Sequence, residues 1–405
     1  MRIKKITLEN FRNYGRLECN VEPSVNILYG QNAQGKTNVM EAIYLCACAR
    51  SHRTHKDKDL IQKGSNYYRV HLDLESEKYG RVVDESVALS YEEDGKSGFK
   101  RIAYYNDLPL ERFRDYIGIF HAVIFAPEDM QLVKEGPSVR RRFIDLMISQ
   151  VKPSYFHSLN RYARLLSQRN KVIKEIKKTN SEKSLSIDQE TALDIWSHPL
   201  AEEGANIIVD RICYTERIKN IAVKKHGQIS EEKESLSMRY KTIPGVDVES
   251  MIESPQVFKN DIKETFLKRL TMSRRDDLEK GMTGYGPHRD DLEIYLDGEN
   301  MRNYASQGQQ RSATLSLKIA EMTILREDTG ENPILLLDDV FSELDSKRRA
   351  CLLENIEKAQ VFITCTDKNI TEKMFKDKES DKDMRISYYE VDNGSVKAIT
   401  QDLVV

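Results

Sequence analysis

The alternation of apolar and polar positions divides the chain into three stretches. In the first, Ile6 and Leu8 alternate with Thr7 and Glu9, as in a half-buried strand, and Val25-Asn26-Ile27-Leu28-Tyr29 has the length and character of a buried one. From Asn38 to Ala49 the period becomes helical, with Met40, Ile43, Tyr44 and Ala47 on one face. Between Tyr67 and Leu110 it returns to two. Tyr68, Val70, Leu72 and Leu74, then Val87, Leu89 and Tyr91, then Ile102 and Tyr104 predict antiparallel strands joined by hairpins, with Asp94-Gly95-Lys96-Ser97-Gly98 between the later runs. His121 to Ala126 is a further strand, closed by Pro127, with Glu128-Asp129 at a helix start.

The second stretch is helical. Glycine becomes rare from Pro137, and apolar residues recur every three or four positions: Phe143, Leu146 and Met147; Leu159, Tyr162, Leu165 and Leu166; Leu193, Trp196 and Leu200; Ile207, Ile208 and Ile212. Residues 137–178 and 187–225 read as helical regions flanking the polar loop Thr179–Ser186, with Pro199 expected to kink or break the second. One more helix is expected over 255–280, with Phe258, Ile262, Phe266 and Leu270 on its face. After Gly281 the strand signal returns in Leu292, Ile294 and Leu296. The expected organisation is an α/β head in two parts, 1–135 and 281–405, with an inserted helical lobe at 136–280.

Composition narrows the class. A chain of 405 residues, 39% of them hydrophobic, suits two or three globular domains. No apolar run reaches about 18 residues and Met1 to Ile6 lacks the apolar core of a signal peptide, which predicts a cytoplasmic protein with no membrane role. Six scattered cysteines, none in a C-x-x-C pair, predict reduced thiols rather than disulfides or a zinc site. A net charge of −2 means that any contact with nucleic acid comes from local patches.

The chemistry begins at Gly30-Gln31-Asn32-Ala33-Gln34-Gly35-Lys36-Thr37, which fits the phosphate loop G-x-x-x-x-G-K-[ST] between a predicted strand and a predicted helix. Its glycines let backbone N–H groups turn inward, Lys36 reaches the β- and γ-phosphates, Thr37 is a magnesium ligand, and Asn38 opens the helix that faces the phosphates. ATP with Mg2+ is the expected cofactor. Asn332 to Asp339 is an apolar strand ending in two carboxylates. Asp338 is placed to hold magnesium and Asp339 to orient the attacking water and accept its proton. The loop Arg50 to Lys58 reads either as a solvated loop or as a contact to nucleotide or DNA.

Ser306-Gln307-Gly308-Gln309, ahead of a helix, resembles the signature motif of the ATP-binding-cassette ATPases, with Gln307 where that family has glycine. Ser342-Glu343-Leu344-Asp345 resembles their D-loop, with Ser342 and Asp345 as its polar members. The resemblance implies that the signature binds the γ-phosphate held by a second copy, so that ATP is sandwiched in an ATP-dependent homodimer. Ser306 also reads as a plain helix cap. Within the superfamily the chain resembles the SMC-like DNA-repair branch, and in it a family of bacterial recombination mediators. That likeness rests on residues 6–14, on 30–38, on Ser51-His52-Arg53-Thr54, on Phe125 to Asp129, on Arg140 to Phe143, on 306–311 and on 335–345. It implies a P-loop ATP-binding-cassette head with an inserted helical lobe, and a weak DNA-stimulated ATPase that recognises gapped DNA or single/double-strand junctions. It also implies RecR and RecO as partners in loading recombinase.

The chain departs from the superfamily where Asp339 replaces the usual glutamate, shortening its reach by about 1.5 Å, and where Thr366 replaces a switch histidine. Gln131 is the one candidate for a Q-loop glutamine. For DNA the candidates are Arg140, Arg141, Arg142, Arg161, Arg164 and Lys171, with Arg169, Lys174, Lys177 and Lys178 beside them; a solvated helix face explains the same composition. An ATP-binding-cassette subunit with a non-DNA partner, such as a transporter ATPase, is the rival reading. A chromosome-organising ATPase needs longer unbroken heptads than this insertion offers.

Overall fold

The computed structural model describes all residues except 55, 79, 95–97, 180–184, 356–358, 367–384 and 400–405, and leaves out the side chains of 78, 94, 179, 342, 343 and 399. The chain forms two compact units, residues 1–130 with 321–405, and residues 131–320.

The first unit holds two sheets. One is antiparallel throughout, in the order β2-β1-β4-β5-β6-β7: β1 Arg2–Phe11, β2 Tyr14–Asn20, β4 Tyr67–Lys78, β5 Arg81–Asp94, β6 Gly98–Tyr105 and β7 Leu108–Pro109. Its period-two pattern buries Ile6, Leu8, Val70, Leu72, Val87 and Leu89. The other runs β15-β14-β3-β13-β12-β8, from β3 Val25–Tyr29, β8 Ala122–Phe125, β12 Ile334–Asp338, β13 Val361–Cys365, β14 Ile386–Asp392 and β15 Ser395–Ile399. It is parallel except at β15. Helix α1, Lys36–Cys48, contacts strands of both sheets and buries every residue but Thr37 and Asn38, so its sequence is apolar on nearly all sides. Short α11 Val340–Glu343 and α12 Ser346–Asn355 follow β12.

The second unit is built on α3 Pro137–Val151, α4 Pro153–Thr179 and α5 Ile187–Ser230, preceded by α2 Gln131–Lys134. Helix α5 runs on through Pro199, so of the expected kink or break the break does not occur. Proline frees the carbonyl four residues back, at Ile195; that residue is 63% exposed, so water reaches it, while buried Leu193, Ser197, Leu200 and Ala201 hold the helix on its other side. The helix expected over 255–280 is two, α7 Lys259–Met272 and α8 Arg274–Lys280, separated at Ser273. Nor is the lobe wholly helical. β9, Leu236–Lys241, pairs with β10 Asp291–Leu296, which pairs with β11 Glu299–Asn300. The unit also carries α6 Val248–Met251, α9 Met301–Tyr304 and the start of α10 Gln307–Thr329. Residues 281–320, assigned to the head from sequence, therefore pack with the helical unit.

Buried arginines tie this unit together. Arg169 is fully buried and donates to Asp277 at 2.7 Å, Thr283 at 2.7 Å and Ser197 at 3.1 Å. Arg211 bridges Asp145 at 2.9 Å and Asp290 at 3.0 Å and donates to the Pro287 carbonyl at 2.7 Å. The long helices and the 283–291 segment are held by these charge pairs, of which Arg169–Asp277 and Arg211–Asp290 are buried on both sides, where loss of either partner is costly.

Candidate functional site

The parallel sheet brings the carboxyl ends of β3, β12 and β13 to one edge, where Tyr29 is level with Cys365 and Asp338 with Thr364. From β3 the chain enters the phosphate loop in left-handed backbone at Gly30 (φ 149°), Ala33 (φ 67°) and Gly35 (φ 120°). Space also requires the two glycines: a Cβ at Gly30 would stand 2.4 Å from the Val391 carbonyl oxygen, and one at Gly35 2.7 Å from both Asn13 Nδ2 and the Tyr14 hydroxyl. Neighbouring segments brace the loop. Tyr14 donates to the Gly35 carbonyl at 3.1 Å, Asn13 to the Gln34 carbonyl at 2.9 Å, and the Asn393 N–H to Gln34 Oε1 at 2.7 Å. Gln31, Asn32 and Ala33 form an exposed tip, and no side chain caps α1 at Gly35.

Lys36 is 8% exposed and donates to the carbonyls of Gly30 at 2.6 Å and Gln31 at 2.7 Å. Among the described residues no carboxylate stands within ion-pair distance of it, and burial pushes its pKa down. Across the edge, Thr37 Oγ1 donates to Asp338 Oδ1 at 3.0 Å and Thr364 Oγ1 donates to the same oxygen at 2.7 Å. Burial raises the Asp338 pKa in spite of both hydroxyls. Two residues proposed as magnesium ligands from opposite ends of the sequence thus meet, each with an oxygen facing the other. Asp339 follows in left-handed backbone (φ 52°, ψ 22°) with an exposed side chain, its N–H donating to Thr364 Oγ1 at 2.9 Å. Thr364 thus joins both aspartates, a role that sequence reasoning missed: a hydroxyl in an apolar strand carries no motif.

A second group missed from sequence braces α1. Glu41, with no exposed side-chain surface, accepts two bonds from Arg12, at 2.8 and 2.9 Å, and one from Ser51. Burial works against its charge, but these donors together hold its pKa down. The loop after α1 comes back to the site, since Arg53 donates to Asn38 Oδ1 at 3.1 Å and lies 3.7 Å from Glu41. The signal was a lone carboxylate amid the apolar run Val39 to Ala49.

The signature segment stands at the start of α10. Ser306 Oγ accepts the Gln309 N–H at 3.3 Å while Gln309 Oε1 accepts the Ser306 N–H at 2.9 Å, a reciprocal capping box. Ser306 and Gln307 are exposed, Gly308 and Gln309 half-buried. The cap leaves the Ser306 hydroxyl proton free of that bond. In the segment after β12, Asp345 accepts the Arg348 N–H at 2.9 Å, whereas the Ser342 side chain lies outside the described residues. Gln131, the Q-loop candidate, is exposed at the start of α2.

The cations proposed for DNA separate into two groups. Arg140 is buried, paired with Asp291 at 2.7 and 2.9 Å and bonded to the carbonyls of Leu132 and Glu135, so it is a structural cation and no DNA contact; buried Arg169 is corrected likewise. Arg141, half-buried, donates to the Asp290 carbonyl at 2.7 Å, and Arg142 is half-buried too. Arg161, Arg164, Lys171, Lys174 and Lys178 are exposed on α4 at spacings of 3, 7, 3 and 4 residues, which puts them on one face, opposite buried Tyr162, Ile173 and Ile176. Arg161 is partly neutralised by Glu203 at 3.2 Å.

A parallel sheet whose strand ends carry a glycine-bounded phosphate-type loop and two successive aspartates is the framework of a P-loop ATPase head of the ATP-binding-cassette, SMC-like class. The model of the RecF/RecN/SMC N-terminal domain matches residues 2–387. The DNA replication and repair protein RecF of Acetivibrio thermocellus is 44% identical, over 92% of this chain and 95% of its own. That of Clostridium perfringens is 40% identical, over 90% and 93%. The chain belongs to the RecF family. Solved structures of the recombination mediator protein RecF in the RecFOR pathway, described as RecF-ATPrS and RecF-ATP, superpose with TM-scores of 0.83 and 0.82 at 35% and 36% identity, each covering 98% of this chain and 98% and 99% of theirs. An Smc head domain from Pyrococcus furiosus, at 14% identity and TM-score 0.50 over 99% of this chain and 96% of that one, shares the fold.

Proposed function

We propose that this RecF-family chain is an ATP-gated DNA-binding protein of recombinational repair, working in the cytoplasm as a homodimer that closes on ATP and opens after slow, DNA-stimulated hydrolysis. The observation that carries the reading is the meeting of Thr37 Oγ1 and Asp338 Oδ1 at 3.0 Å beside a Lys36 held only by neutral carbonyls. The phosphates of ATP lie on the N–H groups of residues 30–38, and Lys36 exchanges its two carbonyls for phosphate oxygens. Thr37 and Asp338 offer the hard oxygens that suit magnesium, which when bound neutralises charge on the β- and γ-oxygens. Asp339, the exposed carboxylate after Asp338, orients water and takes its proton. Its short reach suits a timer.

Ser306, Gln307, Gly308 and Gln309 face the ATP of the second copy, with Ser342 and Asp345 beside that interface. The exposed cations of α4, including Arg161, Arg164 and Lys171, neutralise phosphates without reading sequence, which fits gapped DNA or a strand junction. The RecFOR naming of the solved relatives supports RecR and RecO as partners. Sedimentation velocity with and without ATP and magnesium, then binding to gapped and intact duplex, tests the reading. ATP is expected to shift the chain to a dimer that retains gapped DNA, and phosphate release is expected to rise with DNA. A monomer at saturating ATP that binds DNA equally well with and without it overturns the proposal.

A further inference from the structure

The capping box at the signature continues inward. Gln309 uses its amide oxygen on the Ser306 N–H, and its amide nitrogen donates to Glu234 Oε1 at 3.1 Å. The other oxygen of Glu234 lies 3.0 Å from Nε2 of His226, a histidine with no exposed surface in the last turns of α5. Glu234 is placed there by the reversal after α5, where Glu231 and Glu232 both take left-handed backbone (φ 55° and 57°) and turn the chain back over the helix end before β9 begins. A carboxylate is only an acceptor, so it fixes which end of the Gln309 amide faces it. With the nitrogen committed to Glu234, the oxygen is committed to Ser306.

The geometry points to Glu234 as a positioning residue for the signature, anchored by His226, that holds Gln309 and through it Ser306 in the orientation that meets the partner's ATP. This rests on the composite-site reading above and adds to it a specific support outside the motif. Without Glu234 the Gln309 amide is free to turn over. The Ser306 N–H then loses its acceptor, and the tip of α10 is presented to the phosphate in several orientations. The loss falls on the closed dimer, because Lys36 and the rest of the ATP-binding loop of the same copy are untouched.

The test uses the full chain and compares Glu234→Ala with Glu234→Gln, whose amide oxygen accepts the same bond from Gln309. Glu234→Ala is expected to lower kcat for ATP about tenfold and to weaken ATP-driven dimerisation at parental ATP affinity, with a modest fall in Tm from the acceptor lost to His226 and Gln309; Glu234→Gln, which keeps an acceptor there, is expected to recover most of the kcat and the dimerisation. Parental kcat and dimerisation in Glu234→Ala overturn the proposal. So does a parallel fall in Tm and ATP affinity that Glu234→Gln does not relieve, which marks a merely structural contact. Ser306→Arg is run alongside. If it too dimerises and hydrolyses ATP normally, the composite site is wrong; if it fails while Glu234→Ala does not, only the role of Glu234 is wrong.

Discussion

Two buried cations of this chain are held in opposite ways. Arg169, in the helical unit, is sealed against Asp277 and two hydroxyls, so its charge is fully used inside the fold. Lys36, in the phosphate-loop unit, is nearly as buried but meets only the carbonyls of Gly30 and Gln31. A buried cation with its own carboxylate is part of the framework, whereas one with neutral partners keeps its charge for an anionic ligand. Sequence marks Lys36 by its place in the phosphate loop but shows Arg169 simply as a basic residue on a helix.

The difference is open to direct attack. Arg169→Met leaves Asp277 buried without its cation and is expected to cost about 3–5 kcal/mol, read as a fall in the denaturant midpoint. Lys36→Ala, by contrast, is expected to keep the parental melting curve while losing ATP binding, dimerisation and DNA retention. Full ATP affinity in that variant removes Lys36 from the phosphate site. Next in size is Asp339→Asn, expected to lower turnover by about 100-fold or more at unchanged ATP affinity and to prolong the dimer on DNA. Unchanged turnover means that another group orients the water.

On α4 the comparison becomes one between exposed and buried arginines. Replacing Arg164, Lys171 and Lys174 with alanine is expected to flatten the salt dependence of DNA binding, by about 0.9 in log–log slope for each phosphate left without its cation, with Tm nearly unchanged. A parental slope returns this face to plain solvation. The smallest effect concerns Asp338, whose carboxyl pKa is raised by burial, so its ionisation is uphill in the folded chain. Its contribution to stability is greatest below the unfolded pKa and is lost as pH rises through the folded one. Asp338→Asn keeps an acceptor for Thr37 and Thr364, and without magnesium it is expected to melt above the parent at pH 7, with the gap closing below about pH 4. A gap that widens on acidification contradicts this account of Asp338.

Elements legible in the sequence are those whose cause is local. β3, the loop after it, α1 and β12 follow from apolar runs and from glycines at fixed offsets, and the structure forms those strands and that helix over the expected residues. β9 was hidden because six residues alternating Leu236, Met238 and Tyr240 with polar neighbours sit between helices, and their pairing partner β10 lies far along the chain. The roles of Arg140 and Arg169 were illegible for the same reason. Their carboxylates stand 151 and 108 residues away, so composition counted them as surface charge. Thr364 became visible only when the sheet set it level with Asp338. Ser306 read as a helix cap from its place ahead of an apolar-periodic run, but the return bond from Gln309 and the extension to Glu234 needed the fold.

The central claim is that ATP is closed between the phosphate loop of one copy and the signature of another. Mixing Lys36→Ala with Ser306→Arg tests it most directly, because each variant alone spoils both composite sites of its homodimer. A heterodimer places both defects in one site and leaves an intact loop facing an intact signature in the other. Two inactive variants that together regain a substantial part of parental ATP turnover are what the account predicts. Hydrolysis at the parental rate by Ser306→Arg alone, or a mixture as inactive as its components when heterodimers are present, would contradict it.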